Sequence, residues 1–384
     1  MMLTADSKWL FPLDPNLIYL NHGAFGVTPH DVLNEKRRIL VEIEKNPVDF
    51  LQFKIRERWQ QIANIVAERF LCDENSVAIV DNATDGAVAV LRALSLKPGE
   101  EILITQLTYN AISLAARHIA EAQGARVNVA MLRFPDPDPQ QFIEAVQQAL
   151  TPQTRLAILD HITSSPALLT PLKEMIETCR ARGIPVLVDG AHAPGQIELD
   201  IPDLGADWYV ANLHKWYFVP RGCGFLWAAA GARTGLMPNV LSSDILYPFP
   251  YNFGWTGTRD PSSWLAIPAG FDFMDRLGEA QVRRHNHELL GDGIALLTRM
   301  WKSSATMPRR MRACMSVVSA PDGLPYPPTD QGRALLEVDL KERFKIIVGA
   351  SIASQGRIWL RITAQIYNDI RDYEKLGRAV LSLW

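Results

Sequence analysis

The sequence predicts an α/β fold: a mostly parallel central sheet with helices on both faces, joined to a smaller α+β domain. Three observations carry this expectation. From Ser76 to Trp227, short apolar runs alternate with stretches of helical spacing, and that alternation implies parallel strands covered on both sides. The runs Ile184–Val188, Trp208–Ala211 and Gly224–Trp227 are apolar without interruption, as strands buried on both faces are. After Trp227 the alternation fades, and long helical patterns with a few strands follow. The division expected is a large domain over 26–260 and a small one built from 1–25 and 261–384.

Each element has a local reason. Leu17–Leu20 is a short apolar run ending in Asn21-His22-Gly, where a glycine lets the backbone pass close to a ligand. His30–Lys45 and Lys54–Phe70 have helical spacing, parted by Pro47; in the second, Ile55, Trp59, Ile62, Ile65 and Val66 form one stripe. Ser76–Val80 reads as a strand, and Asn82–Gly86 opens a helix over Ala87–Leu96. Strand Glu101–Thr105, helix Ala111–Gln123 and strand Val127–Met131 follow, and Asp138 then caps a helix over Gln140–Leu150. Strand Leu156–Leu159 leads through DHITSSP to a helix over Pro171–Arg182. Beyond the central stretch, Trp264–Leu277 and Gln281–Met300 read as helices. Val317–Val318, Ala334–Val338 and Arg357–Thr363 read as strands, and Tyr367–Leu381 as a last helix.

Bulk composition narrows the function classes. The chain has 384 residues, enough to bury a core without staples. Its 39 basic and 42 acidic residues leave a net charge of −3 with no basic block, which argues against a nucleic-acid partner. The four cysteines are far apart and have no metal-type spacing, so reduced thiols, no metal and a cytoplasmic location are expected. The start MMLTADSKWLFPLDP lacks the pattern of a signal peptide, and no apolar run suits a membrane span.

The chemistry is concentrated in the central stretch. Asp189 ends one apolar run and Lys215 lies just past the next, with His192 and His214 beside them. In open α/β sheets ligands bind outside the carboxyl ends of strands, so both side chains reach one cleft. Pyridoxal phosphate needs this pair: a lysine amine condenses with its aldehyde to a Schiff base, and a carboxylate pairs with its pyridinium nitrogen. The residues Asn82–Gly86 add a helix N-terminus, whose free N–H groups and partial positive charge suit a phosphate, with Thr84 offering a hydroxyl.

The strings DGAHAPG, ANLHKW and PRGCGF resemble the class V aminotransferase family of pyridoxal-phosphate enzymes (fold type I), and within it the isopenicillin N epimerase branch. The resemblance runs from Asn21 to Asn368. It implies that Lys215 is the cofactor-bearing catalytic lysine and Asp189 the partner of the ring nitrogen. It further implies that Ala83 and Thr84 belong to the phosphate loop and that Tyr109 stacks on the ring. His192 is then expected to hydrogen-bond Asp189, and His214 the phosphate. His161 lines up best with the cofactor's phenolic oxygen, with Asp160 and Thr163 as alternatives. Arg361, in LRITAQIYN, resembles the clamp for the substrate carboxylate, and Asn21 and His22 are candidates on the substrate side. Thr258, in GTRD, resembles the residue that reaches the phosphate of a partner subunit, which implies a homodimer with shared sites.

The resemblance implies action at the α-carbon of an amino-acid group, with an epimerase-like isomerase first. A C–S or other β-lyase and a transaminase remain open, as does a non-catalytic binding module. Epimerisation needs a second proton donor, for which Tyr109 and His22 are the candidates. The loop Ile346–Gln355 has no cysteine, so a desulfurase that carries sulfur as a protein persulfide is disfavoured.

Overall fold

The computed structural model describes residues 5–303, 307–353 and 356–383. Strand β1 (Ile18–Tyr19) precedes helices α1 (His30–Lys45) and α2 (Ile55–Arg69). Then come β2 (Val77–Val80), α3 (Ala83–Ala93), β3 (Glu101–Thr105), α4 (Asn110–Ala122), β4 (Arg126–Ala130) and α5 (Pro139–Ala149). The alternation continues through β5 (Thr154–Asp160), α6 (Leu172–Arg180), β6 (Val186–Asp189), β7 (Trp208–Asn212), the single turn α7 (Leu213–Trp216) and β8 (Gly224–Ala228).

These strands form one seven-stranded sheet in the order β2-β8-β7-β6-β5-β3-β4. β8 runs antiparallel to both neighbours, and the other pairings are parallel. Every residue of β2, β3, β6 and β8 is buried, so both faces are covered, as uninterrupted apolar runs require. The direction of growth reverses between β3 and β5, and that reversal opens a crevice at the strands' carboxyl ends.

The last third adds α8 (Ser262–Leu265), α9 (Ile267–Leu277), α10 (Glu279–Trp301), β9 (Met315–Ser319), α11 (Asp330–Phe344), β10 (Ile346–Ile347), β11 (Gly349–Ala353), β12 (Arg357–Thr363) and α12 (Ile370–Leu381). β11, β12 and β9 form an antiparallel sheet. It shares a core of its own with α10, α11 and α12, including Leu290, Leu297, Leu336, Leu360 and Leu376. Ile18 and Leu20 belong to that core as well. β1 pairs in parallel with β10, and Thr363 N–H donates to Leu20 O at 3.0 Å. The chain's beginning is thus stitched to its end.

Three expectations are corrected. Ala334–Val338 is not a strand but the middle of α11. Its buried residues Leu336 and Leu340 are spaced by four, while Leu335 and Val338 are about half exposed, so the apolar run marks a helix face. Trp264–Leu277 is two helices that break at Ala266, just before Pro268. The segment expected as a loop after residue 346 is strand β10 and then β11, with Ser354 and Gln355 outside the described residues.

Candidate active site

The crevice is a cavity of about 580 Å³ at the carboxyl ends of β5, β6 and β7. Asp189 ends β6, and Lys215 sits in α7, which β7 runs into without a loop. The antiparallel return of β8 holds α7 from behind: Leu213 N–H donates to Cys223 O at 3.0 Å. Gly26 presses on the same turn from the front. A Cβ there would stand 2.9 Å from Lys215 Cα, and closer still to the carbonyl oxygens of His214 and Lys215.

Lys215 Nζ lies 3.1 Å from His192 Nε2. Burial pushes the lysine pKa down to about 8; Asp189 opposes that shift and Arg361 adds to it. His192 is held well below the ordinary range, first by burial and then by the charges of Lys215, Arg361 and His214. It is therefore neutral and accepts from the ammonium group at Nε2, while its buried Nδ1 has no partner among the described residues. His192 does not bond Asp189 as expected. Asp189 Oδ1 instead accepts the Ala191 N–H at 2.9 Å, because the turn after β6 folds its own amide back onto the carboxylate.

Asn82 caps α3, accepting the Asp85 N–H at 3.0 Å, a bond worth about 1 kcal/mol. Ala83 N–H donates to Asn212 Oδ1 at 2.9 Å. Asn212, unassigned by sequence reasoning, thereby ties the first turn of α3 to α7; its place two residues before His214 was the available signal. Thr84, His214 and Asn212 all line the cavity at this end. His214 Nδ1 is bonded to Cys223 O at 2.9 Å, which fixes the proton there and turns Nε2 to the cleft as an acceptor. Burial first and the Lys215 charge second hold His214 at about 4.

On the opposite wall stand Tyr109, 46% exposed, with Ile112, Ile162 and Ser164. Arg361 reaches in from β12. It donates to Ser164 O at 2.8 Å and to Asn21 Oδ1 at 3.0 Å, and its buried Nε has no partner among the described residues. Arg221 also lines the cavity and was missed, although it lies within PRGCGF.

Four expected residues fall elsewhere. His161 faces away from the cleft into a separate cavity with Arg69 and Glu198, and its Nδ1 lies 3.0 Å from Tyr209 Oη. Successive side chains of a strand alternate in direction, so with Asp160 on the cleft face the next residue points to the other side. Thr163 is buried too, its hydroxyl accepting the Leu168 N–H at 2.9 Å. His22 is fully buried beneath α7 against Trp216 and Phe218, with Nδ1 2.7 Å from Tyr367 Oη. Burial pushes its pKa down to about 3, so it is neutral and supports the turn from outside the cleft lining. Thr258 lines a different hollow with Val48, Leu51 and Trp255.

Residues 18–321 match the Aminotransferase class-V family. The chain belongs to that family. It is 30% identical to the isopenicillin N epimerase of Streptomyces clavuligerus, over 97% of this chain and 96% of that one. It is 28% identical to an L-cysteine desulfhydrase of Arabidopsis thaliana, covering 95% of this chain and 87% of the relative. Its fold is similar to that of the cystine C-S lyase C-DES, whose structure holds cysteine persulfide as reaction product; the TM-score is 0.83 at 21% identity, over 96% of this chain and 98% of that one. The cofactor of this class V enzyme is pyridoxal 5'-phosphate, and the cleft fits it: a buried lysine of lowered pKa, an acid at the end of the neighbouring strand, and a helix N-terminus with donors for a phosphate.

Proposed function

We propose that Lys215 takes the α-proton of an amino acid whose carboxylate rests on Arg361, and that the sulfur of a cysteine-type substrate then leaves. The observation that carries the carboxylate site is the guanidinium itself. Among the described residues its partners are neutral, its buried Nε has none, and no carboxylate pairs with it. A buried cation in that state favours a planar anion. Bound pyridoxal phosphate supplies the electron sink. The protein residues do the rest: Asp189 keeps the ring nitrogen charged, Tyr109 covers the cleft wall, and Lys215 holds and moves the proton.

β-Elimination requires one base. The α-proton goes to Lys215, the Cβ–S bond breaks with its electron pair on sulfur, and hydrolysis leaves pyruvate, ammonia and sulfide. With His22 sealed under α7, that outcome is favoured over epimerisation. A protein persulfide has little support, since Cys223 and Cys314 are fully buried with thiol pKa values raised by burial. Tyr109 carries the second reading, because it stands on the cleft wall and can return a proton in an epimerase. L-cysteine should yield equimolar pyruvate and sulfide with no persulfide on the protein. Deuterium exchange at Cα without pyruvate would favour the epimerase; neither product nor exchange across a panel of amino acids would sink both readings.

The reading includes a homodimer. Thr258 does not line its own chain's cleft, yet the adjacent Arg259 donates to Asp81 on the cleft rim at 2.6 Å. Val48, Phe53, Leu246 and Tyr247 are exposed apolar side chains from the same region, which suits burial against a second copy. Mixed dimers of Lys215→Ala and Thr258→Ala subunits should regain activity, because one of their two sites has both residues intact. The division into domains 26–260 and 1–25 with 261–384, and a cytoplasmic location in keeping with four free thiols, belong to the same proposal.

A further inference from the structure

Asp160 and Asp189 pair in register across the parallel strands β5 and β6. In-register residues of neighbouring strands face the same way, about 4.8 Å apart, so the sheet delivers a second carboxyl group beside the one assigned to the ring nitrogen. Asp160 is 2% exposed, and its Oδ2 has no partner among the described residues. Asp189 accepts the Ala191 N–H at 2.9 Å and has the Lys215 charge nearby, which does not act on Asp160. Two carboxylates this close in a buried site do not both ionise, and the proton belongs on the one without a cation beside it.

The hydrogen-bonding groups that adjoin Asp160 are the Thr108 hydroxyl and the Tyr109 N–H. They lie in the turn that opens α4 and sets the Tyr109 ring on the cleft wall. Burial and the Asp189 charge raise the Asp160 pKa well above the usual carboxylate range despite them.

We propose that Asp160 is a positioning residue: an un-ionised carboxylic acid that braces the Tyr109 turn and leaves Asp189 as the single negative charge for the ring nitrogen. This rests on the reading of the cleft as a pyridoxal-phosphate site. The other titratable groups around the pair are Lys215 from α7, Tyr209 from β7 and His161, which is bonded to Tyr209. All are common to wild type and variant, so a difference between the two isolates Asp160.

The test compares the wild-type holoenzyme with Asp160→Asn, which keeps an acceptor and carries no charge. An acid kept neutral by the fold stabilises most below its unfolded pKa, near ~3.9 for Asp, and loses that contribution as pH rises toward its folded value. The Tm of Asp160→Asn should therefore gain on the wild type steadily from pH 4 to 7. Its Kd for pyridoxal phosphate should stay within about three-fold, consistent with an unchanged charge at Asp189. Asp160→Ala, lacking the brace, should shift the absorbance band and circular dichroism of the bound cofactor, and Asn should rescue both. A Tm difference that does not change with pH would overturn the proposal, as would an Asn variant that loses cofactor as badly as Ala. Absence of bound cofactor in the wild type would instead refute the cofactor reading, while the Tm comparison would still report on Asp160.

Discussion

Gly26→Ala should cripple catalysis although residue 26 touches no reacting atom. The added Cβ would stand 2.9 Å from Lys215 Cα and nearer to two backbone oxygens. Ordinary carbon contacts are ~3.5–4.0 Å, so the arm and α7 must part by on the order of 1 Å. Neither side can yield by rotating a side chain. Asn212 ties the turn to α3, and Leu213 N–H ties it to β8. A 1 Å misplacement costs about 100-fold in rate, or about 2.7 kcal/mol of barrier, and overpacking adds about 1–3 kcal/mol of lost stability. Steady-state kcat/KM for pyruvate release, or for α-proton exchange, together with thermal unfolding, measures both effects. A variant within two-fold of wild type in rate would show that the Gly26 contact does not set the lysine's position.

Further outcomes follow from the charged groups of the same cleft. With its pKa near 8, Lys215 has on the order of 100-fold more neutral amine at pH 7 than a solvated lysine; cofactor uptake by the apoprotein should accelerate as pH rises through about 8, and Lys215→Ala should abolish covalent fixation of the cofactor by borohydride. The apoprotein should also gain stability between about pH 8 and 10.5, because there the unfolded lysine holds a proton that the folded one has released. Arg361→Lys should raise KM for amino acids by about 10-fold or more, because a point charge cannot reproduce the two-pronged carboxylate contact, and titration with a carboxylate inhibitor checks it.

Much of the fold was legible because buried parallel strands announce themselves. Glu101–Thr105 needed no more than an apolar run followed by a helical stretch, and the ends of β6 and β7 located the cleft. The misread strand has a simple cause: periodicity does not tell which partner an apolar run faces. Ala334–Val338 looks alike as strand or helix until Leu336 and Leu340 are seen to bury together. His161 was aligned by family resemblance, while the alternation from Asp160 would have sent it to the other face. His22 illustrates a different limit. A histidine beside a glycine-rich turn suggests chemistry, and only three-dimensional packing against Trp216 and Tyr367 reveals a support.

The stitching of β1 to β10 has a consequence for how the enzyme is made. Residues 77–228 contain every strand of the large sheet, together with Asp189, Lys215 and the α3 terminus. Chains leave the ribosome from the N-terminus, and their parts fold in that order. The arm carrying Asn21 emerges before the large sheet, yet it has no strand to pair with until Ile346 appears, and Arg361 comes later still. The residues that this chain is proposed to offer its own cofactor are thus all present in a chain that still lacks the means to hold a substrate, and the early-made arm is among the last segments to find its place.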